Sequence, residues 1–291
     1  MKIAVFGKKI DRTFEAGLNR FFEKVCNQKI EIFIYEPFYN FLKTTNLKIC
    51  SSDIFQNYNQ INSNFDFFIS LGGDGSFLEA VRFVRNSNIP VVGINTGRLG
   101  FLANIAQEDI SHSLDCLFSG NYSIEERSLI AFHSDNSPFS DFPYALNDIT
   151  VQKIDNSLIT IETEVQGNYL NTYWADGLIV STPTGTTAYS MSVGGPIVAP
   201  DCRTIIISPI ASHNLTVRPI VITDNLEIKL NIHSRAGRFL ASIDSYSREL
   251  QSGNQITIRL ADFKINIVRL PDQTFYNTMR KKLMWGADIR N

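Results

Sequence analysis

Asp74 is enclosed by glycines, Gly72-Gly73-Asp74-Gly75, within the stretch FDFFISLGGDGSFLEAVRFV at residues 65–84. Glycine lets an anion approach main-chain N–H groups closely, and N–H groups at the start of a helix attract phosphate. A carboxylate at such a place repels the anion. Its chemical uses are to orient a hydroxyl, to take its proton, or to hold a metal that bridges to phosphate. The ordinary alternative is a turn, because Asp-Gly between apolar runs signals a β-hairpin. The flanks exclude the hairpin. Phe65, Phe67, Phe68, Ile69 and Leu71 make a compact run suited to a strand buried on both faces. Phe77, Val81 and Val84 then recur at helical spacing, with Glu79, Arg82 and Arg85 on other faces. The glycines join a strand to a helix, as a phosphate cradle or as a plain βα turn.

Two further polar groups fall in the second half of the chain. In WADGLIVSTPTGTTAYSMSVGG, residues 174–195, a core strand at Leu178, Ile179 and Val180 follows Asp176 and precedes Ser181, Thr182, Thr184, Thr186 and Thr187. Taken singly, Thr186 or Thr187 is a cap for a helix through Ala188, Tyr189 and Met191. Taken together, the hydroxyls could surround a ligand's phosphates and sugar. In ALNDITV, Asn147 and Asp148 lie between apolar residues. They are either a satisfied polar pair at a strand entry or bulge, or a ribose site in which the carboxylate accepts from both hydroxyls of a cis diol.

The elements that must position these groups divide the chain in two. Residues 1–121 alternate strand and helix. KIAVFG at residues 2–7 is a strand, Asp11 caps a helix carrying Phe14, Leu18, Phe21, Phe22 and Val25, and KIEIFIYE and IPVVGIN are strands. This order predicts an α/β domain with a parallel sheet, whose ligands bind beyond the strands' carboxyl ends. Residues 72–75 and NTGRLG at 95–100 fall there, and a helix over residues 107–118 closes the region. Residues 122–266 carry short alternating strands, SLITIETEV, LEIKLNI and two within QITIRLADFKINIVRL, predicting an all-β, sandwich-like domain. TFYNTMRKKLMWG predicts a C-terminal helix, with Phe275, Met279 and Leu283 in register, that packs back on the first domain as part of a tail at 267–291. A cleft between the domains is the natural place for one ligand with phosphate, sugar and base parts.

Composition removes several classes of function. Of 291 residues, 44% are hydrophobic and 19% charged, a globular balance, and the net charge of −2 gives no basic surface for nucleic acid or anionic membrane. No apolar run is long enough to cross a bilayer. The N-terminus lacks a signal peptide's apolar stretch, so the expected location is cytoplasmic. Cys26, Cys50, Cys116 and Cys202 show no CxxC spacing and do not pair with the four histidines, so four free thiols are expected, with neither disulfides nor structural zinc. GxGxxG and GxxxxGK[ST] loops are absent.

In order along the chain, GGDGSFLEA, NTGRLGFLA, LND, ADGLIVSTPTGTTAYSMSVGGPI and RPIVI resemble the bacterial-type NAD kinases. The likeness covers nearly the whole chain. Gly-Gly-Asp-Gly alone is shared with diacylglycerol and sphingosine kinases and with phosphofructokinases, whereas the Thr-Pro-Thr-Gly-Thr-Thr-Ala-Tyr block is far more specific. The resemblance implies transfer of the γ-phosphoryl group of ATP, with Mg²⁺, to the 2′-hydroxyl of the adenosine ribose of NAD. It implies Asp74 as general base, Gly72, Gly73 and Gly75 along the nucleotide phosphates, and Phe101 against the adenine of NAD. Asn147 and Asp148 match the pair on the adenosine ribose, and Asp176 a carboxylate facing the nicotinamide end. Thr187, Ala188, Tyr189 and Ser192 match the dinucleotide-binding part of the long block, to which Thr184, Ser190 and Met191 also belong. No protein metal ligand is implied, and the assembly is a homo-oligomer, a dimer or tetramer.

The chain departs from the family pattern at three places. Trp174 stands where many members have a basic residue, Ser245 and Tyr246 replace a more usual Gly and polar residue after Asp244, and Ala211 and Ser212 precede His213 where Pro is common. Asp244, Ser245 and Tyr246 therefore receive no role. The rivals are a lipid kinase of the diacylglycerol or sphingosine type, which would need a membrane-facing patch, and a non-catalytic NAD(P)-binding regulator, in which Asp74 would only impair phosphate binding.

Overall fold

A computed structural model describes residues 1–285, apart from Ser52, Arg98, Asn136, Ser137, Asp272 and the side chain of Arg12. The chain forms two compact units, Met1–Glu126 with Ile265–Asn291, and Arg127–Lys264. Both divisions fall inside strands rather than in loops.

The first unit contains β1 (Lys2–Gly7), α1 (Glu15–Cys26), β2 (Glu31–Tyr35), α2 (Glu36–Leu42), β3 (Asp53–Phe55), β4 (Phe67–Leu71), α3 (Asp74–Val84), β5 (Val91–Ile94) and α4 (Ile110–Phe118). The strands pair in the order β5-β4-β1-β2-β3, all parallel. β4 and β5 are buried at every residue and β1 at all but Lys2, as helix-covered parallel strands must be. α1 turns Leu18, Phe21, Phe22 and Val25 inward at helical spacing. Each such side chain, fully buried, contributes about 1.5–3 kcal/mol of hydrophobic stabilisation. Asp11 caps the short 3-10 turn that leads into α1, accepting the Thr13 N–H at 2.9 Å, and α1 itself has no side-chain cap.

The second unit is built from β6 (Ser123–His133), β7 (Tyr144–Ala145), β8 (Asp148–Gln152), β9 (Ile159–Val165), β10 (Asn168–Ala175), β11 (Gly177–Ser181), α5 (Tyr189–Ser192), β12 (Thr204–Ile210), β13 (Ile220–Thr223), β14 (Ile228–Ser234), β15 (Arg238–Ile243), β16 (Tyr246–Gln251) and β17 (Gln255–Arg269). Two antiparallel sets, β10-β9-β14-β17 and β13-β12-β11-β8-β15-β16, share one core. Ile159, Ile161, Leu230 and Ile232 of the first meet Val151, Leu178, Ile207 and Phe239 of the second in one buried cluster. Alternation with period two turns these residues inward and Thr160, Glu162 and Lys229 out.

Two expectations are corrected. QITIRLADFKINIVRL is one strand of 15 residues, β17, not two. Leu-Ala-Asp-Phe contains no Gly or Pro to break it, and after Lys264 the strand returns to the first unit, where Ile267 pairs with Val91 in parallel. The cysteines are not all free. Cys26, the last residue of α1, is bonded to Cys50, with Cα atoms 5.6 Å apart, while Cys116 and Cys202 are free. A sequence separation of 24 gives no local signal, because α1 and the segment before β3 are brought together only by the folding of the unit. The tail carries α6 (Phe275–Leu283), whose first turn is capped by Thr274 through the Asn277 N–H. Among the described residues no helix is long and apolar enough to cross a membrane.

Candidate active site

Gly72-Gly73 forms the turn between β4 and α3, and Asp74 is the first residue of the helix. A β-carbon at Gly72 would overlap Ser76, so packing demands glycine there. Gly73 and Gly75 differ, since a β-carbon on either would meet nothing within 4 Å. Gly75 lies in the first turn of a helix, where glycine costs up to about 1 kcal/mol relative to alanine. No neighbour explains that cost. Both positions leave the main chain open to a ligand at the positive end of the helix dipole.

The Asp74 carboxylate is clamped. Oδ1 accepts the N–H groups of Leu102 at 3.0 Å and Ala103 at 2.9 Å, and Oδ2 accepts that of Phe101 at 2.9 Å. The donors converge because residues 100–103 form a tight turn, closed by the Gly100 N–H to the Ala103 carbonyl at 3.0 Å. A β-carbon on Gly100 would overlap the Asp74 carboxylate, and one on Gly93 would press on the Ala103 backbone. Asn95 braces the loop by donating to the Ala103 carbonyl and accepting the Gly97 N–H. NTGRLGFLA and GGDG are thus two halves of one device, with the carboxylate fixed in direction by main chain. Lys282 Nζ of α6 lies 3.5 Å from Oδ2 and 4.6 Å from the centre of the Phe101 ring. Phe101, 8% exposed, also packs on Phe275, so α6 lies against this loop. Lys281 lines a cavity of about 490 Å³ with Asn95, Thr96 and Gly97, beyond the carboxyl end of β5.

In the second unit a parallel arrangement appears. Asp244, in the two-residue turn between β15 and β16, accepts the N–H groups of Leu146 at 3.0 Å, Asn147 at 2.8 Å and Asp148 at 3.2 Å, and its own N–H donates to the Asp148 carbonyl at 2.9 Å. Its φ of +50° is one that Asp tolerates better than most residues. Asp244, given no role from the sequence, fixes the Asn147-Asp148 turn. Asp148 is 6% exposed and accepts the Thr150 hydroxyl at 3.0 Å. Burial, and then the negative charge of Asp244, push its carboxyl up to about 7.

The hydroxyl-rich block turns mostly inward. Thr182 donates to the Leu146 carbonyl and accepts the Gly185 N–H at 3.1 Å, tying residues 146 and 185 together ahead of and within the 3-10 turn Thr184–Thr187. Thr186 bonds the Pro183 carbonyl and accepts the Val198 N–H, and Thr187 bonds the Thr184 carbonyl, so neither caps α5. Thr184, 6% exposed, accepts from Arg127 at 3.1 Å, and Ser190, fully buried, bonds Ser208. These two were expected beside a ligand, and in this structure their hydroxyls bond within the fold. Gly185 is required because a β-carbon would overlap the Asn147 backbone, which docks this block against residues 146–148. Tyr189 and Ser192 are exposed, and Thr187, Ala188 and Met191 half-buried. Tyr189 accepts from Gln152 at 2.8 Å. Asp176, between β10 and β11, pairs with Lys153 at 2.7 Å, a partner the sequence reading missed.

The sequence profile of the ATP-NAD kinase N-terminal domain matches residues 22–122, and that of the ATP-NAD kinase C-terminal domain matches residues 146–270. The chain belongs to the ATP-NAD kinase family. It is 44% identical over 294 residues to the NAD kinase of Flavobacterium psychrophilum, and 43% identical over 292 to that of Bacteroides fragilis, covering 100% of each. Its fold matches a yeast NADH kinase complexed with NADH, with TM-score 0.86, 21% identity, and coverage of 100% of this chain and 89% of that one. An NAD kinase from Archaeoglobus fulgidus in complex with ATP matches with TM-score 0.77, 24% identity, and coverage of 98% and 99%. The ATP-NAD kinase family is one of phosphotransferases, and the lipid-kinase alternative has no support. Within this kinase, Asp74, Gly72, Gly73, Gly75 and Phe101 come together in one unit, and Asn147, Asp148 and the block at 184–192 in the other.

Proposed function

We propose that this kinase transfers the γ-phosphoryl group of ATP to the 2′-hydroxyl of the adenosine ribose of NAD, with Asp74 as general base. The clamp on Asp74 carries this reading. A ribose hydroxyl is a poor nucleophile, and a carboxylate within hydrogen-bond reach helps by accepting its proton as the bond to phosphorus forms. Three main-chain N–H groups hold the carboxylate in one direction, with Oδ1 taken by two donors and Oδ2 by one main-chain donor. Positioning of this kind supplies much of the rate of a phosphoryl transfer. The open main chain at Gly73 and Gly75 receives the donor's phosphates.

The roles in the second unit are proposed on the same basis. Asn147 and Asp148 recognise the ribose, with Asp148 accepting from its hydroxyls when ionised. Thr187, Ala188, Tyr189, Met191 and Ser192 line the dinucleotide. Asp176, held by Lys153, faces the nicotinamide end, and Phe101 meets the adenine of NAD. Among the described residues no group of three or more His, Cys, Asp or Glu could hold a metal ion, and Mg²⁺ usually needs only one or two carboxylates beside substrate phosphates. Mg²⁺ is proposed to enter with ATP, coordinated by phosphate oxygens and water, and to neutralise phosphate charge. A cytoplasmic location and a homo-oligomer, dimer or tetramer, complete the proposal. The latter draws support from the edge strand β10, which exposes Tyr169 and Trp174.

The test is a coupled assay of NADP formation from NAD and Mg·ATP. The wild type makes NADP, and Asp74→Asn loses at least roughly 10²-fold in kcat, the low end for a general base. A folded Asp74→Asn enzyme with wild-type kcat would sink the base assignment.

A further inference from the structure

We propose that Lys282 is a positioning residue of this kinase. Its ammonium offsets the charge of Asp74 while the donor's phosphates settle on the Gly72–Gly75 turn. A carboxylate in a phosphate cradle repels the ligand it serves, so the cradle needs a countercharge that does not occupy the main-chain N–H groups. Among the described residues the cation paired with Asp74 is Lys282, 3.5 Å from Oδ2. It approaches the oxygen that carries one main-chain donor, rather than Oδ1, which carries two.

Its direction is built in. Lys282 lies two helical turns after Phe275, so the two share a face of α6. Phe275 packs on the Phe101 ring with centroids 6.4 Å apart, and the Lys282 ammonium lies 4.6 Å from the centre of that ring. The ring attracts the cation and the helix anchors its stem. Arg280 and Lys281 are also basic in this last turn, which by itself only complements the helix dipole. Arg280 bonds Asn277 of its own helix and Lys281 lines the cavity beside Asn95, so of the three Lys282 alone is paired with the carboxylate among the described residues. The ammonium and the carboxylate are each about one-third exposed, which leaves both within reach of an entering ligand.

The proposal rests on reading the glycine turn as the phosphate site, and its test uses binding rather than turnover. Affinity for Mg·ATP is measured by calorimetry in wild type, Lys282→Met, Asp74→Asn and the double variant, with Asp74→Ala as a second neutral background. Lys282→Met weakens Mg·ATP about fivefold where Asp74 is present, the upper range for a partly exposed pair, and less than twofold where it is not. Lys282→Arg stays within twofold of wild type, and KM for NAD is unchanged in Lys282→Met. Equal weakening in both backgrounds, no weakening beside Asp74, or a parallel rise in KM for both substrates with a lowered Tm overturns the proposal. The kcat of Asp74→Asn decides the base assignment separately, so either can fail alone.

Discussion

The carboxylate of Asp244 holds the main chain of Asn147, accepting its N–H at 2.8 Å from across 97 residues of sequence. The same side chain takes the N–H groups of Leu146 and Asp148. It repeats in the second unit what Asp74 does with Phe101, Leu102 and Ala103 in the first. In each case a carboxylate shapes a loop that carries proposed ligand residues by gathering its N–H groups.

Removing the second of these holds should therefore cost substrate recognition. Asp244→Ala leaves three N–H groups without their acceptor, at about 1–3 kcal/mol for each that stays buried and unpaired. We expect a lower Tm and a KM for NAD raised about tenfold, with KM for ATP within twofold. An unchanged KM for NAD would show that the Asn147-Asp148 turn does not need Asp244.

Asp148 gives a pH signature. Its carboxyl is pushed up to about 7 by burial and by Asp244, so the folded state holds a proton that the unfolded state, with an ordinary Asp near 3.9, has released. The stability from this group is full below about pH 4 and is lost as pH rises through about 7, by an amount on the order of a few kcal/mol. Asp148→Asn removes that loss. Thermal melts at pH 5 and pH 8 should show the variant gaining on the wild type at the higher pH, and parallel curves would rule this out. KM for NAD of the wild type should fall over the same interval as the carboxylate ionises, and that dependence should vanish in the variant.

Gly75 separates folding from function. An alanine there meets no neighbour within 4 Å and sits in a helix turn, so Gly75→Ala should fold with an unchanged or higher Tm, by up to about 1 kcal/mol. If the main chain at this position receives phosphate, KM for ATP rises at least severalfold. A variant with raised Tm and wild-type KM would leave the glycine without a ligand to explain it.

The sequence by itself determined the periodicity-borne parts of this protein: the strand and helix on either side of Gly72–Gly75, the alternation of β9 and β14, the face of α1. Those features are local, because side-chain direction repeats every two residues in a strand and every 3.6 in a helix. The glycine–carboxylate turn was legible for the same reason, as a break between two periods. Only the tertiary structure decided which polar groups face outward. Thr184, Thr186 and Ser190 are spent on internal bonds, while Asp244, Lys153 and Lys282 acquire partners 97, 23 and 208 residues away. The Cys26–Cys50 bond and the unbroken β17 belong with them. A hydroxyl, a carboxylate or a thiol has the same local signature whether it meets a ligand or its own chain. The partner is chosen by how distant segments pack, and no spacing within a single segment records that choice.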